Sequence, residues 1–327
     1  MNSITVKIEV GDATIAEADV LVLKHARRTY GLDSLVAGYL DSAGVSLRFP
    51  DIWESWKVNS VPPLTKTSNI LFIGVPRLGE FRYPEIRKFA SMALATLASE
   101  LPHARKVLFT VHGIGYGLDE AEAFGAEIAG FSDAVQAMQI PGALHEITII
   151  ENNHRRAKRL EEYLRKLLPD GRISWADPSS PQAGSGTTEK LQGLGQETDA
   201  KAHVFVAMPF EEEMDDVYHY GIYSAVNAAG FICERSDFSS FTGDIMDWVK
   251  SRIRTASLVI ADLTNANPNV YLEIGYAWGV GIPTVLVSRD GEHLEFDVIG
   301  QRCLIYKKIR QLQDLLTSEL SALRLRM

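Results

Sequence analysis

This sequence has very little cysteine, no long apolar run and no excess of basic residues. Only two of its 327 residues are cysteines, Cys233 and Cys303, so a disulfide scaffold is excluded and a reducing, cytoplasmic location is expected. The longest apolar stretches fall far short of the roughly 20 residues of a membrane span, and the alternating N-terminus has no signal-peptide core. With 42 acidic against 33 basic residues, the net charge of −9 argues against bulk binding to nucleic acid or an anionic membrane.

Two patterns typical of cofactor and metal enzymes are also missing. No His or Cys spacing indicates a zinc site. No Gly-x-Gly-x-x-Gly follows a first strand with an acidic residue about 20 positions later, which disfavours a Rossmann-type dehydrogenase. We therefore expect no metal and no required cofactor.

One segment differs in composition from everything around it. Residues 176–201 are rich in Ser, Gly, Pro, Thr and Gln and show almost no apolar periodicity, which is typical of a linker. The length independently favours two domains. The predicted organisation is a domain over 1–175, a flexible linker over 176–201 and a second domain over 202–327.

Both predicted domains are α/β. In the C-terminal one, short apolar strands alternate with helical segments, which predicts a flavodoxin-like parallel sheet covered on both faces. The N-terminal one has apolar strands at about 4–10, 20–23, 70–75, 107–111 and 147–150, with helices at about 84–100, 119–138 and 155–168. It is less regular, since 49–67 has no clear pattern, and a mixed sheet is the expectation.

Candidate site residues follow the C-terminal strands, at the edge where open α/β sheets bind ligands. They are Met208, Pro209 and Phe210 after the first strand, Arg235 and Asp237 after the second, and Asp262 after the third. Glu273 follows, and we expect it in the first turn of a helix capped by Asn269, where the helix dipole favours its ionised form. Such a carboxylate can attack an anomeric carbon or stabilise the oxocarbenium character that develops there. The alternative is that Glu273 only interacts with the helix dipole and Asp262 only ends a strand. For Tyr218, a place in the site and a packing role are both open.

The pattern over residues 204–288, from VFVAMPF through LVIADLT to NPNVYLEIGYAWGVGIPTVLV, resembles the nucleoside 2-deoxyribosyltransferase-like superfamily, relatives of TIR domains. That family's nucleophile is a Glu in a Glu-x-Gly-x-Ala context, which here implies Glu273 with Gly275 and Ala277. The resemblance further implies that Asp237 and Asp262 hold the sugar. It also implies substrate contacts from these residues: Met208, Pro209, Phe210, Tyr218, Asn269 and Gly275.

The sequence departs from the transferases at one point. They carry an Asp-x-Gly-Thr element before the Glu, whereas this chain has Asn267-Pro268-Asn269. This departure favours hydrolysis of a nucleotide, or of NAD as in TIR enzymes, over transfer between bases.

A glycine-rich loop marks the candidate site of the N-terminal domain. Gly113, Ile114, Gly115, Tyr116 and Gly117 lie between a strand and a helix, where backbone N–H groups can approach a phosphate, although glycines also simply make tight turns. With Gly11-Asp12 and the strand after Asp19, the domain resembles a macro domain, which binds ADP-ribose. That resemblance implies contacts from Asp12 to adenine and from 113–117 to phosphate. The asparagine-rich segment of the family is replaced by residues 24–28, which favours a sensor or a structural module over a hydrolase.

Together these features predict a two-domain N-glycosidase that acts on a nucleotide or NAD. By analogy with the domain pairing, it would be an effector in a prokaryotic nucleotide-signalling or antiphage defence system. A nucleotide-type small molecule is the expected partner, with no membrane or nucleic acid, and a homo-oligomer is expected. The alternative is a nucleotide-binding signalling protein without turnover.

Overall fold

The computed structural model describes residues 2–26, 31–59, 66–77, 79–175, 191–235, 243–292, 298 and 300–324. The chain forms two compact units. The first comprises residues 1–113 and 120–199, and the second comprises 114–119 and 200–327. Part of the predicted linker, 176–190, lies outside the described residues.

The first unit is built on one seven-stranded sheet. Its strands are β1 (Asn2–Val10), β2 (Val20–His25), β3 (Ser55–Asn59), β4 (Asn69–Gly74), β5 (Lys106–Thr110), β6 (Glu146–Glu151) and β7 (Arg172–Trp175). Its helices are α1 (Gly31–Ser42), α2 (Tyr83–Glu100), α3 (Glu120–Gln136) and α4 (His154–Leu167). The strand order is β3-β4-β2-β5-β6-β1-β7, in which β3 and β7 are antiparallel to their neighbours and the other pairs are parallel. This confirms the predicted mixed sheet.

The central strands of this sheet are buried on both faces, which explains their continuous apolar runs. Residues Val20 to Leu23 of β2 and Ile70 to Ile73 of β4 are at most 1% exposed. On one face, Leu21, Leu23 and Phe72 pack with Val36 and Leu40 of α1. The parallel arrangement brings the carboxyl ends of β1, β2, β5 and β6 to one edge.

Residues 191–199, which fall within the predicted linker, belong to the first unit. Arg87 of α2 holds them, because its Nη1 donates to the carbonyl oxygens of Leu191, Gln192 and Leu194 at 3.2, 2.7 and 2.7 Å. The same guanidinium pairs with both carboxylate oxygens of Asp133 in α3.

The second unit contains a five-stranded parallel sheet. Its strands are β8 (His203–Ala207), β9 (Ile232–Arg235), β10 (Leu258–Asp262), β11 (Thr284–Arg289) and β12 (Cys303–Tyr306). A π-helix (Val217–Tyr223) leads into α5 (Ser224–Ala228), followed by α6 (Gly243–Thr255), α7 (Pro268–Gly279) and α8 (Ile309–Arg324). The order β9-β8-β10-β11-β12 is that of flavodoxin-like folds and confirms the predicted architecture.

Alternate residues of these strands face opposite sides of the sheet. Val204, Val206, Cys233, Leu258 and Ile260 form one core with the π-helix, α5 and α8. Asp262 and Arg235 continue this alternation, so they lie on the same face. In a fold of this order, α6 and α7 cover the opposite face, because βαβ crossovers are right-handed.

Candidate functional site

The strand order of the second unit places its candidate site between β8 and β10. The chain runs from β8 outward to β9 and then returns to β10 on the other side, so this is the topological switch point where open α/β sheets bind ligands. Ala207 and Ala261 are paired at the ends of these strands. Met208 and Asp262 therefore stand side by side at the mouth of the crevice.

Asp262 is fully buried and organises this edge. Its Oδ1 accepts a hydrogen bond from the Thr264 backbone N–H at 2.9 Å, and its Oδ2 accepts one from the Tyr306 hydroxyl at 3.0 Å. Burial raises the pKa of Asp262, while both hydrogen bonds and the charge of Arg289 act in the opposite direction.

The loop between β10 and α7 has an unusual backbone. Asn265 and Ala266 have positive φ values of 62° and 44°, which is rare for residues other than glycine and is often found at functional sites. The Asn265 side chain donates to Glu211 at 2.6 Å and to Glu213 at 3.3 Å. These bonds hold the loop in its strained form.

The prediction that Asn269 caps the following helix is wrong. Asn267 is the N-cap, and its side chain accepts a hydrogen bond from the backbone N–H of Asn269 at 3.0 Å. Pro268 occupies the first helical position, where its missing N–H costs nothing. Glu273 therefore lies in the second turn of α7, where the favourable effect of the helix dipole has largely faded.

Glu273 is a buried carboxyl with no compensating contact. It is 7% exposed, and among the described residues it has neither a hydrogen bond nor an ion pair. Burial raises the pKa of Glu273 to about 8. Burying a carboxyl without a hydrogen-bond or ion-pair partner lowers the stability of the folded state, and groups with such shifted pKa values concentrate at functional sites.

Arg235, at the end of β9, gathers three of the predicted substrate-binding residues. Its guanidinium carbon lies 4.0 Å from the centre of the Tyr218 ring and 5.8 Å from that of Phe210. Its Nη1 is 3.8 Å from the sulfur of Met208, and its Nη2 is 3.8 Å from a carboxylate oxygen of Asp215. Met208 and Tyr218 are buried, whereas Phe210 is 41% exposed.

The remaining predicted residues of this site lie in different environments. Pro209 is buried, and Asn269 and Gly275 are exposed. A Cβ added at Gly275 would meet no atom within 4 Å, so packing does not require glycine there. Asp237 lies outside the described residues.

Sequence reasoning missed Tyr306 and Arg289 as members of this edge. Tyr306 donates to Asp262, and the Arg289 backbone N–H donates to the Thr264 hydroxyl at 3.2 Å. Both residues end strands of the parallel sheet, β12 and β11, and that position is the signal that could have identified them.

In the first unit, Asp12 follows β1 and shapes a tight turn. Its Oδ1 accepts hydrogen bonds from the backbone N–H and the hydroxyl of Thr14, both at 2.8 Å. The residue itself is exposed. In the segment that departs from the macro-domain pattern, Lys24 pairs with Asp33 at 2.5 Å, and both side chains are largely buried.

The glycine loop after β5 is divided between the two units: Gly113 belongs to the first, and 114–117 belong to the second. Gly113 and Gly117 have φ values of 85° and 89°, which favour glycine. A Cβ at Gly117 would lie 2.1 Å from the Trp248 ring, so close packing also requires glycine at this position. Asp119, which is fully buried in the second unit, accepts from the Tyr223 hydroxyl and the Cys233 backbone N–H at 3.0 Å each.

Within the described ranges the chain has neither a metal-binding cluster nor a membrane-spanning helix. In that part of the chain, no group of three or more His, Cys, Asp or Glu residues is arranged to hold a metal ion. No helix there is both long enough and apolar enough to span a membrane.

Comparison with known proteins gives only distant structural similarity. No family model and no curated protein matches the chain. A mutant macrodomain of Oceanobacillus iheyensis is 14% identical over 52% of this chain and 99% of its own, with a TM-score of 0.38. A Trypanosoma brucei macrodomain in complex with ADP-ribose is 18% identical over 48% of this chain and 68% of its own, with a TM-score of 0.39. The structure of a Trypanosoma brucei macrodomain in complex with ADP is 17% identical over 49% of this chain and 69% of its own, with a TM-score of 0.41. Similarity at this level carries no argument about activity.

Proposed function

We propose that the second unit hydrolyses the N-glycosidic bond of a nucleotide or of NAD. The observation that carries the proposal is the buried, unpartnered carboxyl of Glu273 in the helix that follows the switch-point strand β10. Its sequence context, Glu273 with Gly275 and Ala277, resembles that of deoxyribosyltransferase nucleophiles. The exposed face at Gly275 leaves room for a ligand to approach the helix closely.

In the proposed reaction, the Glu273 carboxylate attacks C1′ or stabilises the oxocarbenium ion that forms as the base departs with the bonding electrons. Water then supplies the new hydroxyl at C1′ and a proton. Asp262 and Asp237 are proposed to position the ribose hydroxyls. Positive charge at the reacting carbon, or on the nicotinamide ring of NAD, would favour ionisation of a carboxyl whose pKa is otherwise raised.

Glu273→Gln is expected to lower base release by at least about 100-fold, because the amide cannot act as a nucleophile or balance the positive charge. The full chain would be incubated with NAD, nucleotides and deoxynucleotides, and free base would be measured by chromatography. Glu161→Gln, which removes an exposed carboxylate on α4, is the matched control and should leave the rate unchanged. Equal rates for wild type and Glu273→Gln would contradict the proposed role.

The rate of base release measured as a function of pH reports on the ionised fraction of Glu273. With a pKa of about 8, roughly 1% of Glu273 is ionised at pH 6 and about half at pH 8, so the rate should rise over this interval. Binding of nucleotides without any base release would favour the alternative, a non-catalytic signalling protein.

We further propose that the first unit binds an ADP-ribose-like ligand through Asp12 and Gly113, in keeping with the macro-domain motifs. Asp12→Asn should weaken ADP-ribose binding to the full chain about tenfold in calorimetry, because the amide loses the charge that strengthens a hydrogen bond from an adenine amino group. Asp41→Asn, on the exposed surface of α1, is the control. A wild-type chain that does not bind ADP-ribose would contradict this proposal. The wider role in signalling or defence rests on the pairing of the two resemblances.

A further inference from the structure

The glycine loop after β5 supplies part of the second unit. The chain leaves the first unit after Gly113, contributes residues 114–119 to the second unit, and re-enters the first at the start of α3. We call residues 114–119 the inserted segment. Gly113, the residue before it, is the one proposed above to contact the ligand of the first unit. Because the two are consecutive in the chain, a change in the backbone at Gly113 acts directly on a segment that belongs to the second unit.

Buried contacts hold the inserted segment in the second unit. Asp119 is fully buried and accepts hydrogen bonds from the Tyr223 hydroxyl and from the backbone N–H of Cys233, both at 3.0 Å. Gly117 packs so closely on Trp248 of α6 that a Cβ there would clash with the indole ring. The segment is therefore a packed part of this unit.

The bond to Cys233 completes the edge of the parallel sheet. β9 is the last strand in the sheet order, and the Ile232 N–H donates to the Ala202 carbonyl oxygen on the β8 side at 3.0 Å. Successive N–H groups along a strand point in opposite directions, so the Cys233 N–H points away from β8, toward the edge of the sheet. Asp119 accepts the hydrogen bond there. Without it, a buried donor would lose its partner, which destabilises a fold.

The bond to Tyr223 fixes the end of the π-helix. Tyr223 is the last residue of this helix, and π-helices are rare and recur at functional sites. Tyr218 lies in the same helix and stacks on Arg235 at the end of β9, and Arg235 reaches the Met208 sulfur at 3.8 Å. Asp119 therefore joins the π-helix to β9, the two elements whose side chains lie next to Met208 at the mouth of the crevice.

We propose that the inserted segment couples the two proposed functions: a ligand bound through Gly113 favours the anchored form of residues 114–119 and so raises base release by the second unit. The inference rests on both proposed functions. A ligand shifts such an equilibrium only by its differential affinity for the two forms. Here the forms differ at Gly113, whose φ of 85° favours glycine, and at Asp119, whose two hydrogen bonds are made or lost. The π-helix is the element that responds, because release of Tyr223 frees it to take the ordinary α-helical register.

The test measures initial rates of base release by the full chain with and without saturating ADP-ribose. ADP-ribose should raise kcat/KM of the wild type by at least about 5-fold, the lower end of allosteric coupling. Tyr223→Phe removes only the hydroxyl that donates to Asp119, and it should reduce the rise to less than about 2-fold while ADP-ribose still binds in calorimetry. Tyr220→Phe is the matched control, since Tyr220 lies in the same helix but is 60% exposed, and it should keep the full rise.

A purely structural role of the Asp119 contact would give a different pattern. Tyr223→Phe would then lower the rate by the same factor with and without ADP-ribose, and that result would overturn the inference. A wild-type rate that ADP-ribose does not raise would also overturn it, as would a full rise in Tyr223→Phe. All three results leave the glycosidase proposal standing.

If no substrate releases base, the proposed function of the second unit fails, and hydrogen exchange decides the coupling separately. ADP-ribose should slow exchange of the β9 and π-helix amides in the wild type and in Tyr220→Phe, but not in Tyr223→Phe. Equal exchange with and without ADP-ribose in the wild type would overturn the inference. A wild-type chain that does not bind ADP-ribose in calorimetry would contradict the proposal for the first unit and this inference with it.

Discussion

At pH 7, the free energy of unfolding of Glu273→Gln is expected to exceed that of the wild type by about 3 kcal/mol. The pKa of the carboxyl rises from 4.5, its ordinary value, to about 8 in the folded chain because burial disfavours the charge. Between these two values the folded state holds the proton and the unfolded state releases it. Folding must therefore bind a proton above pH 4.5, at a cost of about 1.4 kcal/mol for each pH unit. The glutamine is neutral in both states and avoids this cost.

The sign of the pH dependence is what identifies the cause. The wild type should lose stability relative to the variant as pH rises from 4.5 to 8, and the two should differ by less than about 1 kcal/mol at pH 5. Hydrogen exchange of the β8 and β10 amides reports opening of this sheet and should slow by roughly 100-fold in the variant at pH 7. Glu161→Gln should show no such trend. A difference that is the same at pH 5 and pH 8 would mean that the Glu273 carboxyl is not forced to be neutral.

A gain in stability together with a loss of base release would identify Glu273 as a residue retained for chemistry. Residues that strongly destabilise the folded state persist in proteins where they are needed for function. A structural Glu at a helix surface would show neither effect, because its charge would be solvated in both states.

Much of the fold followed from the sequence because apolar periodicity is local. The helices predicted at about 84–100, 119–138 and 155–168 are observed at 83–100, 120–136 and 154–167. The strand β3 was not predicted. It is a short edge strand of mixed composition, and its pairing with β4 is a tertiary contact that no local pattern encodes.

The candidate site was predicted in part. The positions of Asp262 and Met208 at strand ends are predictable because each follows a recognisable strand. Tyr306, 44 residues from Asp262, was not predicted, since only the folded sheet brings the two together. The sequence predicts Glu273 in the first helical turn, whereas the structure has it in the second. Either asparagine of Asn267-Pro268-Asn269 can cap a helix, and because proline is favoured at the first helical position, Asn267 is the cap. The burial that shifts its pKa is likewise a property of the packed structure.

Gly130→Ala is expected to destabilise the first unit by about 3 kcal/mol, although alanine ordinarily stabilises a helix by about 1 kcal/mol relative to glycine. Gly130 lies in the buried part of α3, and a Cβ there would be 2.2 Å from the backbone oxygen of Arg87 and 2.7 Å from the Cβ of Ala90. Neither atom belongs to a flexible side chain, so α2 and α3 would have to separate. That movement would also strain the Arg87–Asp133 pair.

Gly38→Ala on α1 is the matched control, because it also places alanine inside a helix but meets no atom within 4 Å. It should gain about 1 kcal/mol from helix propensity. Denaturant unfolding of the full chain, followed by hydrogen exchange of the α2 and α3 amides, would measure both variants. Opposite signs for two chemically identical substitutions would establish that the close approach of α2 and α3 fixes glycine at position 130. A gain of stability at both positions would mean that the two helices separate at little cost.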